Sequence, residues 1–218
     1  MSSSPLDRLR ALDACAVSDA LEHSGYPQAV VGLHPVTAPR VIIGRAVTVR
    51  LGPAEGTKPT RHLCTAAVDA SGPGDVIVIA NDGRVDCASW GGLLSKAASL
   101  RGVEGVVIDG ACRDVPEAVE LELAVYGRAA VAVTARGRAV ERAWNEPVQI
   151  AGTTVAPGDL VIADGSGVAF VPQAARDEVL AAAEQIAARE VAMARALTRG
   201  APISEVMGAD YETLLPRG

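Results

Sequence analysis

Between Trp90 and Ala135 short apolar runs alternate with longer segments whose apolar residues recur at helical spacing, and this alternation restricts the fold more than any other feature. "GGLLSKAASLRG" places small and apolar residues as a helix would, bounded by glycines, and "VEGVVIDG" is a short buried strand. "VPEAVELELAVYG" then predicts a second helix and "AAVAVTA" a second strand. Strands and helices taking turns predict an α/β core with crossover connections. Upstream, "PLDRLRALDACAVSDALEHSG" predicts one helix or two short ones closing at Gly25, and "RVIIGRAVTVRL" and "GDVIVIAN" predict strands. Downstream, "PVQIAGTTVAPGDLVIADGSGVAFVP" predicts three short strands, and "QAARDEVLAAAEQIAAREVAMARALTRG" a long helix that stops at Gly200. The phrases "SGPGDVIVIANDG" and "VAPGDLVIADGSG" share a PGD-apolar-Asp-Gly pattern, which common turn chemistry explains as well as duplication does.

The chain's 218 residues are 49% hydrophobic, enough for one sizeable core, and no low-complexity linker interrupts them. We expect a single domain over residues 1–218. Acidic residues outnumber basic ones, 26 to 20, so nothing in the charge balance points to nucleic acid or an anionic membrane. An anionic substrate must then be met by a local cation. No run of about eighteen apolar residues occurs, and the start "MSSSPLDRLRALD" lacks the apolar segment of a secretion signal, so a soluble cytoplasmic protein is expected. Cys15, Cys64, Cys87 and Cys112 have no CxxC spacing and read as reduced core thiols rather than zinc ligands or disulfides.

Chemistry concentrates in two places. A helix N-terminus opening on Gly91 and Gly92 lets a ligand approach the backbone, and the N–H groups of Leu93 and Leu94 can receive a small carboxylate. The same glycines can equally be a plain turn. The strand "GVVID" runs through a small-residue corner to Arg113 and Asp114. A guanidinium there suits bidentate recognition of a carboxylate or stabilisation of an oxyanion, and Asp114 can give an oxygen ligand to a hard cation. Asp114 and Glu117 also form a D-x-x-E capping box with Pro116 in the first helical turn. The two uses are compatible, since one carboxylate oxygen can cap while the other holds a metal. His23, His34 and His62 lack ligand spacing, Ser166 in "ADGSGVAF" is a turn residue, and Lys96 is a solvated helix residue. Neither G-x-G-x-x-G nor G-x-x-x-x-G-K-[ST] is present, so nucleotide cofactors and S-adenosylmethionine are not indicated.

Taken together, "AVSDAL", "VIIGRAVTVR", "GPGDVIVI", "WGGLL", "RGVEGVVIDGACRD" and "VAPGDLVIADGSGVAFVP" resemble the RraA-like family, which includes 4-hydroxy-4-methyl-2-oxoglutarate aldolases and oxaloacetate decarboxylases. The resemblance implies an α/β/β/α layered sandwich similar to the phosphohistidine swivelling domain. It also implies a lyase that cleaves a C–C bond of an α-keto acid through an enolate stabilised by Mg²⁺ or Mn²⁺ and yields pyruvate. On this resemblance Gly91, Gly92, Leu93 and Leu94 hold the substrate carboxylate, Arg113 binds substrate and Asp114 ligates the metal. Glu190 reaches the site from a neighbouring subunit of a trimer or hexamer, on a C-terminal helix spanning about residues 172–199. Many members carry an acid at the position held here by Gly92. A second family pattern, G-x20-R-D-x2-E/D, matches Gly92, Arg113, Asp114 and Glu117 and makes Glu117 the compensating carboxylate of the metal shell. Other members regulate ribonuclease E by binding it, and a specialised biosynthetic enzyme on the same scaffold is a further alternative.

Overall fold

The computed structural model describes residues 4–37 and 39–208. Helices α1 (Pro5–Leu9) and α2 (Ala14–His23) open the chain. They are capped by Ser4 and Asp13, whose side chains accept the N–H groups of Asp7 and Ala16. Strands β1 (His34–Pro35) and β2 (Ile42–Pro53), helix α3 (Thr65–Ala70), strand β3 (Asp75–Trp90), helix α4 (Gly92–Leu100), strand β4 (Gly105–Cys112) and helix α5 (Val115–Glu120) follow. Then come β5 (Val125–Gly127), β6 (Ala129–Ala130), β7 (Ala139–Trp144), the β8 (Val148–Ile150) and β9 (Thr153–Val155) hairpin, and β10 (Leu160–Asp164) and β11 (Gly167–Val171). Helices α6 (Arg176–Thr198) and α7 (Ile203–Val206) close the described chain.

The main sheet runs β1-β5-β4-β3-β2-β10-β11, with β2, β3, β4 and β5 parallel in sequence. Side-chain alternation along these strands sorts the apolar residues into layers. Ile77, Ile79, Val106, Ile108 and Val49 face one way and pack with Leu94, Ala98 and Ala118 of the crossover helices. Val76, Val78, Val107 and Ala46 face the other way and meet Val161, Ala163, Val168 and Phe170 of β10 and β11. The far face of those two strands, through Leu160, Ile162, Ala169 and Val171, packs on α1, α2 and the first half of α6. Helices, sheet, sheet and helices therefore stack as four layers, the α/β/β/α arrangement expected from the sequence. Strand β2 carries the one sheet from the first layer to the second by pairing with β3 through Arg45–Arg50 and with β10 through Ile42–Arg45.

Several elements depart from the sequence expectation. The helix expected through Gly127 stops at Glu120, because Glu122 turns left-handed (φ 52°) and the N–H groups of Glu122 and Leu123 close back on Val119 and Ala118. This is a Schellman stop built without its usual glycine, which leaves Val125 free to begin a strand. Of "AAVAVTA" only Ala129–Ala130 pairs as a strand. Four strands, not three, occupy 148–171, and α3 and β7 have no counterpart in the expectation. The shared PGD phrases do form the same turn: Gly74 and Gly158 are left-handed, and Asp75 and Asp159 each accept the N–H three residues earlier, from Gly72 and Ala156. No helix among the described residues is long and apolar enough to cross a membrane.

Candidate active site

Parallel strands β3 and β4 end side by side, with Trp90 registered against Cys112. The register of β3 against β4 shifts three times between Ala80 and Trp90, the first time around the left-handed Asp82 and Gly83. The buried Trp90 indole donates to Ser95 Oγ (2.8 Å), the Ser95 hydroxyl reaches Gly91 O (3.2 Å), and the Arg113 N–H donates to Trp90 O (2.9 Å). These bonds fix the first turn of α4 against the corner that carries Arg113 and Asp114. The crevice so formed lies at the carboxyl ends of parallel strands, where α/β sheets place their ligands.

Asp114 does not cap α5. It stands at the N-cap position with left-handed dihedrals (φ 57°, ψ 41°) and its side chain makes no capping bond, so the capping box expected from D-x-x-E does not form. The twist turns the carboxylate toward α4 instead, where Oδ2 accepts the Gly92 N–H (2.9 Å) and Oδ1 accepts Arg113 Nε (3.1 Å). Both interactions favour the anion, the Gly92 N–H most, and hold the Asp114 carboxyl below its ordinary range.

Glu117, released from the capping box, leans over the start of α4. A Cβ added at Gly92 would collide with Glu117 Oε2, lying 2.6 Å from Glu117 Cδ and 3.3 Å from Asp114 Cβ. The carboxylate thus fills the space that a side chain at residue 92 would take, and two acids meet above that glycine. At Gly91 a Cβ would come within 3.0 Å of Asp114 Oδ2 and 3.2 Å of Arg113 Cγ, so this turn too sits tightly against the Arg113–Asp114 corner. The Gly92 N–H is occupied by Asp114, whereas those of Leu93 and Leu94 meet no acceptor among the described residues. They are orphan donors of the helix start and remain open to an anion.

Arg113, Asp114 and Gly91 to Leu94 line one wall of a cavity of about 580 Å³. Sequence reasoning did not find the second wall, which comes from the segment around Arg61 and His62, the loop around Thr134 and Arg136, and Glu141 of β7. Glu141 is buried, with 5% of its side chain exposed; Oε1 accepts Arg61 Nε (2.9 Å) and Oε2 the Cys64 N–H (2.7 Å). The contact spans 80 residues of sequence to Arg61 and 77 to Cys64, so no local motif announces it.

Other residues take clear places. Cys64, Cys87 and Cys112 are buried, but Cys15 is exposed, contrary to the expectation of four core thiols, because the first turn of α2 presents it outward. Burial pushes the Cys64 thiol well up and that of Cys112 to about 11, which leaves neither a ready nucleophile. Ser166 sits in the β10–β11 turn, where its N–H donates to Asp164 Oδ1, and Lys96 is exposed. Glu190 is not brought to the cavity within one chain. It lies on α6 toward α2, and burial together with the nearby Asp13 and Asp19 pushes its carboxyl up.

Among the described residues no three His, Cys, Asp or Glu side chains gather into a closed metal cage. Asp114, with lone pairs left over and 31% of its side chain exposed, and Glu117 beside it make a sparse oxygen donor set. That set fits a hard cation keeping most of its water, such as Mg²⁺ or Mn²⁺, and not tetrahedral zinc.

The chain has relatives among known proteins. Residues 14–170 match the sequence profile of the RraA-like family, described as Aldolase/RraA. Protein DlpA of Legionella pneumophila is 28% identical over 92% of this chain, which spans 32% of that longer protein. A protein of Halalkalibacterium halodurans provisionally named 4-hydroxy-4-methyl-2-oxoglutarate aldolase is 28% identical over 91% of this chain and 92% of its own length. The crystal structure of an uncharacterized Pseudomonas syringae protein superposes with a TM-score of 0.84 at 30% identity, covering 95% of this chain and 98% of that one.

Proposed function

The chain belongs to the RraA-like family, and from that premise we propose that it is a divalent-metal-dependent lyase that cleaves a C–C bond of an α-keto acid to release pyruvate. The observation that carries this reading is the Asp114 carboxylate, turned out of its helix cap and lining the cavity beside Arg113, with Glu117 behind it over Gly92 and outside the lining. Substrates of the 4-hydroxy-4-methyl-2-oxoglutarate type, which undergo retro-aldol cleavage, and oxaloacetate, which loses CO₂, both leave a pyruvate enolate. The name carried by the Halalkalibacterium relative supports the first of these.

Asp114 would hold the cation, and Glu117, the second acid beside Gly92, would contribute to its water shell. Such a cation, when bound, supplies a Lewis acid that polarises the keto oxygen. The N–H groups of Leu93 and Leu94 and the Arg113 guanidinium receive the substrate carboxylate, and the guanidinium offsets the negative charge that develops as the C–C bond breaks. Retro-aldol cleavage also needs a base for the 4-hydroxyl proton, a task for Glu117 or for Glu190 of a second copy of the chain. The distal half of α6 leaves the core, with Val191 50% and Leu197 39% exposed, which supports a trimer or hexamer in which this helix packs on a neighbour. Decarboxylation needs no such base and tolerates its loss better.

Pyruvate release from both substrates, measured with Mg²⁺ or Mn²⁺ and again with EDTA against protein-free controls, tests the proposal. Turnover above the control that EDTA removes is expected. No turnover of either substrate with either metal would overturn the lyase and favour a protein-binding role.

A further inference from the structure

The cavity carries three guanidinium groups, and they are not equivalent. Arg113 is paired with Asp114, and Arg61 with the buried Glu141 through Nε and a second nitrogen. Arg136 has no ion pair and no side-chain hydrogen bond among the described residues, although it lines the same cavity. We propose that Arg136 is the residue that receives the second carboxylate of diacids such as oxaloacetate and 4-hydroxy-4-methyl-2-oxoglutarate, and so sets the site's preference for them over keto monoacids. The identity of the near end rests on the lyase reading of Arg113 and Asp114.

The loop that presents Arg136 is built to hold its backbone and leave its side chain to the cavity. Thr134 Oγ1 accepts the Arg136 N–H (3.2 Å), Ala135 O accepts the N–H groups of Arg138 (2.8 Å) and Ala139 (2.9 Å), and Gly137 supplies the left-handed residue (φ 72°) of the turn. Arg138, by contrast, spends its guanidinium on the carbonyls of Thr134 and Arg136. The same lining includes the apolar Ala54, Leu63, Ala135 and Val140, a surface for a carbon skeleton. A cavity of about 580 Å³ is of a size that encloses whole ligands much larger than a three-carbon pyruvoyl unit. Arg136 is exposed, so water solvates its charge until an anion takes that place. A guanidinium with five uncommitted donors suits a carboxylate in bidentate geometry.

Two five-carbon keto acids that differ only at the far end, 2-oxoglutarate and 2-oxopentanoate, isolate this contact. Their dissociation constants are measured by calorimetry with Mg²⁺ present for the native chain, Arg136→Gln and Arg136→Lys. The native protein is expected to bind 2-oxoglutarate at least about tenfold more tightly, as a charged hydrogen-bonded pair allows. Arg136→Gln should bring the ratio down to about twofold, and Arg136→Lys, a point charge without the fork, should retain part of it. A native ratio near one, or a ratio unchanged in Arg136→Gln with its melting temperature preserved, would overturn the assignment. Pyruvate release is read separately. A dicarboxylate preference that depends on Arg136 but comes with no turnover would sink the lyase and leave this inference standing.

Discussion

The two walls of the cavity are made in opposite ways. The first, from Trp90 to Leu94 with Arg113 and Asp114, is a junction of two strand ends and two helix starts, held by Asp114 on the Gly92 N–H and backed by Glu117 over the Gly92 Cα. The second is assembled from segments around Arg61 and Arg136 that belong to no regular element, clamped by one buried carboxylate, Glu141, on β7. Short-range chemistry builds a motif that can be read from the chain. A clamp across 80 residues cannot. On the proposed reading the first wall recognises and polarises a pyruvoyl unit, and the second meets whatever is attached to it.

Breaking the first wall at its tightest point should have the larger effect. Gly92→Ala drives a methyl group into the Glu117 carboxylate, and turnover should fall about tenfold to a hundredfold, the scale of losing a positioned acid or base. Glu117→Ala should cost as much, and the double variant no more than either single one, because both changes remove the same carboxylate from the same place. A double-mutant cycle on kcat checks this. Independent, multiplying losses would contradict the shared site.

The second wall should respond in stability before chemistry. Glu141→Ala strands the Cys64 N–H and frees Arg61, which is 44% exposed and can be solvated, so a loss of about 1–2 kcal/mol is expected rather than the larger cost of an uncompensated buried charge. Thermal unfolding should shift down by a few degrees for a chain of this size. An unchanged melting temperature would show that the wall stands without its clamp.

The smallest effect concerns pH. Because the folded state depresses the Asp114 carboxyl, its contribution to stability is complete above the unfolded value near pH 4 and is lost as pH falls through the lower folded value. The stability difference between the native chain and Asp114→Ala should therefore be flat from pH 7 to about 4 and shrink below that. The carboxylate is partly exposed, so solvent screening keeps the difference small. A difference that already declines between pH 6 and 5 would place the Asp114 carboxyl above its ordinary range.

The same contrast explains what was legible in the sequence. Strand β4, helix α4 and the corner at Arg113 and Asp114 follow from apolar runs punctuated by glycine and proline and appear where expected, whereas β3 begins where expected but runs on past Asn81 to Trp90. Helix α5 ends early because Glu122, not glycine, takes the left-handed stop, and a residue type that seldom does so leaves no mark. The capping-box pattern at Asp114 misleads for a related reason: a left-handed Asp114 points its carboxylate away from the helix that it precedes. Glu117 is singled out by its spacing, yet only the collision at Gly92 shows what the spacing achieves. Glu190 lies on a face of α6 toward Asp13 and Asp19, and the contribution expected of it needs a second copy of the chain. Arg136 and Glu141 sit in stretches without periodicity, so their place in the cavity emerges only from the fold.

Substituting Asp114 by alanine and measuring Mg²⁺-dependent pyruvate release from oxaloacetate, beside Mn²⁺ affinity by calorimetry, tests the central claim most directly. The account predicts that release above the protein-free rate falls at least about a hundredfold and that Mn²⁺ binding disappears, while thermal stability falls by only about 1–2 kcal/mol, because α5 loses no cap and α4 loses the one bond to its Gly92 N–H. Native turnover and Mn²⁺ affinity in a folded Asp114→Ala protein would contradict it.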